Sequence, residues 1–324
     1  MAGAASAREQ IRIVGSATVY PFVTAAAEQF GMAEKFRTPI VESTGTGGGF
    51  KLFCSGVGAK FPDIVNASRK ITASEVELCK KNAVTDIMEV SLGYDGIVLA
   101  SKKESPHFSL TKKQVFMALA RELPKDGAWI KNPYQKWNDI DARLPDLPII
   151  VYGPPPTSGT RDAFGELVME EGCKAFPEFV ERFPKESERK KNCHVLREDD
   201  TYIEYGDDGN VLVQKLKANE RALGILGFGF YDENSEQVQA STIDGVIPAA
   251  ASIASGQYGM SRELYVYVKK QNIDAVPGIP NFLRELTSEN AVGEDGYITL
   301  KGLLPLPQDR RAEIARQITS MVKH

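Results

Sequence analysis

This chain of 324 residues is poor in the side chains that carry most acid–base and metal chemistry. It has only three histidines, His107, His194 and His324, far apart and none beside a plausible nucleophile. That spacing argues against histidine-based catalysis and against a histidine-rich metal site. Cysteine is scarce too: Cys54, Cys79, Cys173 and Cys193, with no C-x-x-C spacing and therefore no zinc or redox motif. No run of about 18 apolar residues occurs, which excludes a transmembrane helix. The net charge of −4 provides no global basic field for nucleic acid or a membrane surface, so any anion site must be local. Lys51 comes two residues after Gly49 without a Gly-Lys-Ser/Thr sequence, so the glycine-rich loop is not a phosphate-binding Walker loop. It is a weak dinucleotide fingerprint as well, because no ribose-binding acid is clearly placed. Repeats and low-complexity segments are absent.

What remains is an ordinary globular composition, 42% hydrophobic and 25% charged, long enough for two medium domains or one large one. An even cysteine count suits an oxidising compartment, although four cysteines permit three pairings. The local pairing, Cys54–Cys79 and Cys173–Cys193, closes short loops and is favoured; buried free thiols are the alternative. Ala5-Ser6-Ala7 before Arg8 has the A-x-A pattern of a signal-peptide cleavage region. Residues 1–7 are therefore expected to be a residual signal-peptide end or an alanine-rich tail.

Apolar runs alternate with helical patterns along the chain. Ile11–Val14, Pro39–Ser43 and Asp63–Ser68 read as strands; Pro21–Phe30, Gly49–Cys54 and Ala73–Lys81 read as helices. This alternation predicts an α/β fold with a mostly parallel sheet, whose binding edge lies at the strand carboxyl ends. The stretches Asp86–Ser101 and 257–268 are long, extended and apolar, as expected of two crossings between domains. In the middle of the chain, 111–119, 162–171 and 211–219 read as helices and 147–152 and 222–231 as strands. The segment 132–146 reads as a polar loop around Trp137, and 307–323 as a final amphipathic helix.

Four turns combine small hydroxyl residues with glycine or arginine where a strand runs into a helix. They are Gly15-Ser16-Ala17-Thr18, Thr44-Gly45-Thr46-Gly47-Gly48-Gly49, Asn66-Ala67-Ser68-Arg69 and Thr157-Ser158-Gly159-Thr160-Arg161. Helix N-termini present unpaired N–H groups and partial positive charge, and arginine pairs bidentately with oxyanions. Any one hydroxyl is as readily a helix cap, and any one arginine a surface ion pair. Together they point to one small oxyanion.

The set Gly15–Phe22, Thr44–Lys51, Asp63–Arg69 and Ser158–Phe164 resembles the phosphate-binding subunit of bacterial phosphate-specific ABC importers, in order and spacing and over most of the chain. The resemblance implies a two-lobed periplasmic binding protein fold of mixed, mostly parallel sheets with two extended hinge crossings. The lobes expected are 8–92 with 262–324, and 93–261. It further implies a monomeric, non-enzymatic protein of the periplasm, secreted by a cleaved signal peptide. Without cofactor or metal, such a protein holds inorganic phosphate between its lobes for delivery to an inner-membrane ABC permease. Carried onto this sequence, the phosphate-binding residues are Ser16, Thr18, the Val19 backbone, Thr46, Ser68, Arg69, Ser158, Gly159, Thr160 and Arg161. One departure stands out. The best-known branch has an aspartate where Arg69 stands, and an arginine where this chain has Pro154. Another group must then accept the proton of hydrogen phosphate: a backbone carbonyl, Glu42, Asp95, Asp162 or Glu204. The alternatives are another tetrahedral oxyanion, sulfate or molybdate, or a phosphate-ester hydrolase.

Overall fold

The computed structural model describes residues 8–33, 35–206 and 208–321. The expected signal remnant or tail at 1–7, residues 322–323 of the expected helix 307–323, and His324 lie outside the described residues. The chain divides into two compact units, one holding the residues up to Asp95 and from Arg262 onward, the other Gly96–Ser261.

The first unit begins with β1 (Arg12–Gly15), α1 (Tyr20–Ala33), β2 (Ile40–Ser43), α2 (Thr46–Phe53), β3 (Ile64–Ala67) and α3 (Ala73–Lys81). The long strand β4 (Ile87–Lys102) starts in this unit and ends in the second. There follow α4 (Lys112–Leu119), β5 (Val151–Gly153), α5 (Gly159–Phe164), β6 (Tyr202–Glu204), α6 (Gly209–Ala218), β7 (Leu223–Gly227) and β8 (Val238–Ala240). The chain re-enters the first unit on β9 (Ser261–Lys269) and continues to α7 (Ile279–Leu286) and α8 (Gln308–Ser320).

In the first unit β1 lies between β2 and β3, parallel to both, and β9 runs antiparallel to β3. Alternate residues of these strands face opposite helices, as a pleated strand requires. Ile13, Ile64, Val266 and Val268 pack with Phe22, Val23 and Phe30 of α1. Val14, Val65, Ala67, Tyr265 and Tyr267 pack with Phe50 and Phe53 of α2. A sheet covered on both faces places its connecting turns, and hence polar backbone, at the strand ends. In the second unit β5 is parallel to β6 and β7, while β7 and β8 each pair antiparallel with the distal part of β4. A disulfide closes in each unit, Cys54–Cys79 and Cys173–Cys193.

Several boundaries differ from the expected ones, each for a physical reason. Helix α2 starts at Thr46 and runs through three glycines, although glycine is a poor helix former. The glycines serve packing: a Cβ on Gly49 would lie 2.6 Å from the Gly15 Cα, so only glycine lets this helix lie against β1. The 162–171 helix begins earlier, at Gly159, because Ser158 caps it, and continues through a wider turn at Gly165–Met169. The 132–146 segment is not simply a polar loop. It contains a helical turn, Trp137–Ile140, whose tryptophan is completely buried, edge-on to Phe108. The expected 222–231 strand ends at Gly227 and becomes a helix at Phe228–Glu233. A short apolar run does not by itself distinguish strand from helix.

Candidate functional site

The carboxyl ends of β1, β2 and β3 are neighbours, so their three following turns meet in the first unit. The Gly15 backbone joins them. Its φ of +141° and its contact with Asn66 leave no room for a side chain. The Thr44 N–H donates to the Gly15 carbonyl at 2.8 Å, and the Ser16 N–H donates to the Asn66 carbonyl at 3.0 Å. Ser16, Thr18, Val19 and Ser68 are all buried here. The Ser16 Oγ accepts from the Thr18 N–H at 3.2 Å, shaping the turn into α1. Thr46, the first residue of α2, reaches across to β3: its Oγ1 is 3.1 Å from the Ser68 Oγ and accepts from the Ser68 N–H at 3.3 Å.

Arg69 is placed differently from a bare arginine over the sheet edge. Its guanidinium forms a two-pronged pair with Glu75, at 2.9 and 2.8 Å, and lies 5.8 Å from the centre of the Phe50 ring. Glu75 also completes a capping box with Thr72 at the start of α3. Burial pushes the Glu75 carboxyl upward, but the hydrogen bonds from Arg69 and Thr72 outweigh it and hold the group below the usual glutamate range.

Two more residues join this cluster: Arg262, which the motifs did not single out, and Asp95, named above as a candidate proton acceptor. Arg262, at the start of β9, donates from Nη2 to the Thr18 Oγ1 at 2.9 Å, and its Nε lies 3.7 Å from the Asp95 carboxylate. This bond ties Thr18, at the turn into α1, to the start of β9. The available sequence signal was the pairing of an acid and a base on the two extended crossings.

Ser158, Gly159, Thr160 and Arg161 form the first turn of α5 in the second unit. Ser158 is buried, and its Oγ accepts from the Thr160 N–H at 3.2 Å. Arg161 is clamped: Nη1 donates to the Pro154 carbonyl at 3.1 Å, and the guanidinium stacks 4.5 Å from the centre of the Tyr202 ring. The Tyr202 hydroxyl donates to the same carbonyl at 2.7 Å. Burial pushes the Tyr202 phenol up to about 12, so it stays neutral and remains a donor. The Glu204 carboxylate lies 3.8 Å from Arg161, and its side chain is half exposed.

These arrangements supply hydroxyls, helix-start amides and guanidinium groups, which bind oxyanions. Among the described residues no group of three or more histidines, cysteines or acids could hold a metal ion. No helix there is long and apolar enough to cross a membrane.

Fold and donor pattern together define a solute-binding protein. The chain belongs to the PBP superfamily, whose domain matches residues 2–290. Protein SphX of Synechococcus elongatus is 30% identical over 83% of this chain and 70% of its own length. Phosphate-binding protein PstS of Staphylococcus saprophyticus is 28% identical over 88% of this chain and 79% of its own length. The crystal structure of "a possible phosphate binding protein" from Planctomyces limnophilus is 26% identical and superposes with a TM-score of 0.76, covering 98% of this chain and 100% of the other.

Proposed function

We propose that this chain binds inorganic phosphate outside the cytoplasm and delivers it to an inner-membrane ABC permease. In this reading it acts as a monomer, without cofactor or metal and without chemical turnover. Ser16, Thr18, the Val19 backbone, Thr46, Ser68 and Arg69 supply donors from one lobe, residues 8–92 with 262–324. Ser158, Gly159, Thr160 and Arg161 supply them from the other, residues 93–261. The observation that carries the reading is the meeting of three hydroxyl-bearing turns at adjacent strand ends in the first unit, with Thr46 bonded to Ser68. Membership of the PBP superfamily and the phosphate-binding name of the staphylococcal relative support it.

The test is a thermal melt of protein stripped of carried-over ligand. A ligand that binds only the folded form stabilises by RT ln(1 + [L]/Kd), about 2.7 kcal/mol at a hundredfold excess over Kd. Phosphate is expected to raise the melting temperature, and calorimetric competition to rank it above sulfate and molybdate. An unchanged melt in saturating phosphate, or a preference for sulfate at every pH, would overturn the reading.

A further inference from the structure

On β4 the first unit ends at Asp95, and on β9 the chain re-enters it at Arg262. The two side chains meet there. The Arg262 Nε lies 3.7 Å from the Asp95 carboxylate, and the side chains are only 10% and 16% exposed. A pair so little exposed is costly to desolvate, and apolar groups of the same size often serve a fold as well or better. Stability is therefore a weak reason for this pair. Its position supplies a stronger one. The Arg262 Nη2 donates to the Thr18 Oγ1 at 2.9 Å, which puts the guanidinium against a hydroxyl at the start of α1, where the three turns meet.

Charge acts over a longer range than a hydrogen bond. An anion oxygen bonded to the Thr18 hydroxyl lies within about 6 Å of that Nη2. This is inside the screening length of roughly 8 Å at physiological salt. At such a distance, in surroundings less polar than water, a guanidinium attracts an anion without touching it. A carboxylate beside the guanidinium holds it in place and also opposes the anion.

We propose, resting on the phosphate reading above, that Arg262 is a further phosphate-binding residue of the first unit. It acts by its charge, across the Thr18 hydroxyl. Asp95 is the positioning residue: it orients the guanidinium and limits its attraction for the ligand. The two charges thus affect affinity with opposite signs, whereas a pair kept only for stability would make either substitution harmful.

Calorimetric titration of ligand-stripped protein with inorganic phosphate tests this. Arg262→Gln is expected to lose roughly tenfold in affinity. Arg262→Lys is expected to recover most of that loss, because charge rather than a planar fork is what acts here. Asp95→Asn keeps the size and an acceptor oxygen but removes the charge, and is expected to gain roughly threefold. Unchanged affinity in Arg262→Gln, or no recovery in Arg262→Lys, overturns the role of Arg262. A loss in Asp95→Asn overturns the role given to Asp95, and is the result expected of a proton acceptor instead. Where Arg262→Gln does not fold, near-wild-type affinity in Arg262→Lys with a gain in Asp95→Asn supports the proposal, and a loss in both overturns it. Failure of wild-type protein to bind phosphate removes the function proposed above rather than this assignment alone.

Discussion

The two units hold their arginines by different means. In the first, each guanidinium of the cluster faces a carboxylate: Arg69 pairs with Glu75, and Arg262 faces Asp95. In the second, Arg161 is held by a carbonyl and an aromatic ring, and the half-exposed Glu204 carboxylate lies 3.8 Å away, much as Asp95 lies 3.7 Å from Arg262. A carboxylate partner cancels charge as it orients; a neutral partner orients without cancelling. The contrast is sharpest between Arg69, whose two-pronged carboxylate pair cancels charge, and Arg161, oriented chiefly by neutral groups; on the phosphate reading, Arg161 keeps more of its positive charge for the ligand.

The largest effect that could break this comparison comes from Arg161→Ala. On the phosphate reading it is expected to cost about 3 kcal/mol, roughly a hundredfold in Kd by calorimetry. Arg161→Lys should recover only part, because a point charge does not reproduce a stacked planar fork. A smaller loss than that from Thr46→Val would reverse the ranking of the units. Of similar size, but on stability, is removal of the disulfides. The linked cysteines are separated by 25 and 20 residues, so the chain-entropy estimate is about 3 kcal/mol for each. Cys→Ala pairs made one unit at a time and followed by denaturant unfolding should give nearly equal losses.

Thr46→Val is expected to weaken phosphate binding by about 1 kcal/mol, since it removes one hydroxyl and its bond to Ser68. An unchanged Kd would remove Thr46 from the site.

A pH-dependent effect on stability concerns Lys269, at the opposite end of the same sheet. Its Nζ is buried, donates to the Gly56 and Pro62 carbonyls and lies 4.8 Å from the centre of the Phe53 ring. Burial lowers its pKa to about 8, against 10.5 ordinarily. The unfolded chain thus binds more protons between those values, and stability from this group rises as pH increases from about 8 to about 10.5. Below about 8 both states are protonated and the contribution is flat. Lys269→Met should lack that rise in urea unfolding at pH 8 and pH 10. An identical slope in the variant would show that Lys269 is not the source.

Much of the first unit was readable residue by residue. Ile11–Val14, Asp63–Ser68 and Ala73–Lys81 have clean periodicity, and the structure places strands and a helix there. The disulfide pairing favoured for its short loops, with free thiols as the alternative, is the one present. Helix α2 was misplaced at its start because its glycines answer to the Gly15 backbone, a contact that is remote in sequence. Trp137 was hidden for a similar reason: its local sequence is polar, and its burial depends on Phe108.

The local pattern of the chain determined the order of strands and helices and the positions of the hydroxyl–glycine turns. Periodicity and turn chemistry act between residues close in sequence. Which groups meet at those turns was decided only by tertiary structure. Arg262 reaches Thr18 from the far end of the chain, and Asn66 lies against Gly15 because parallel pairing sets β3 beside β1. Such contacts arise from sheet order and register, which no local pattern encodes.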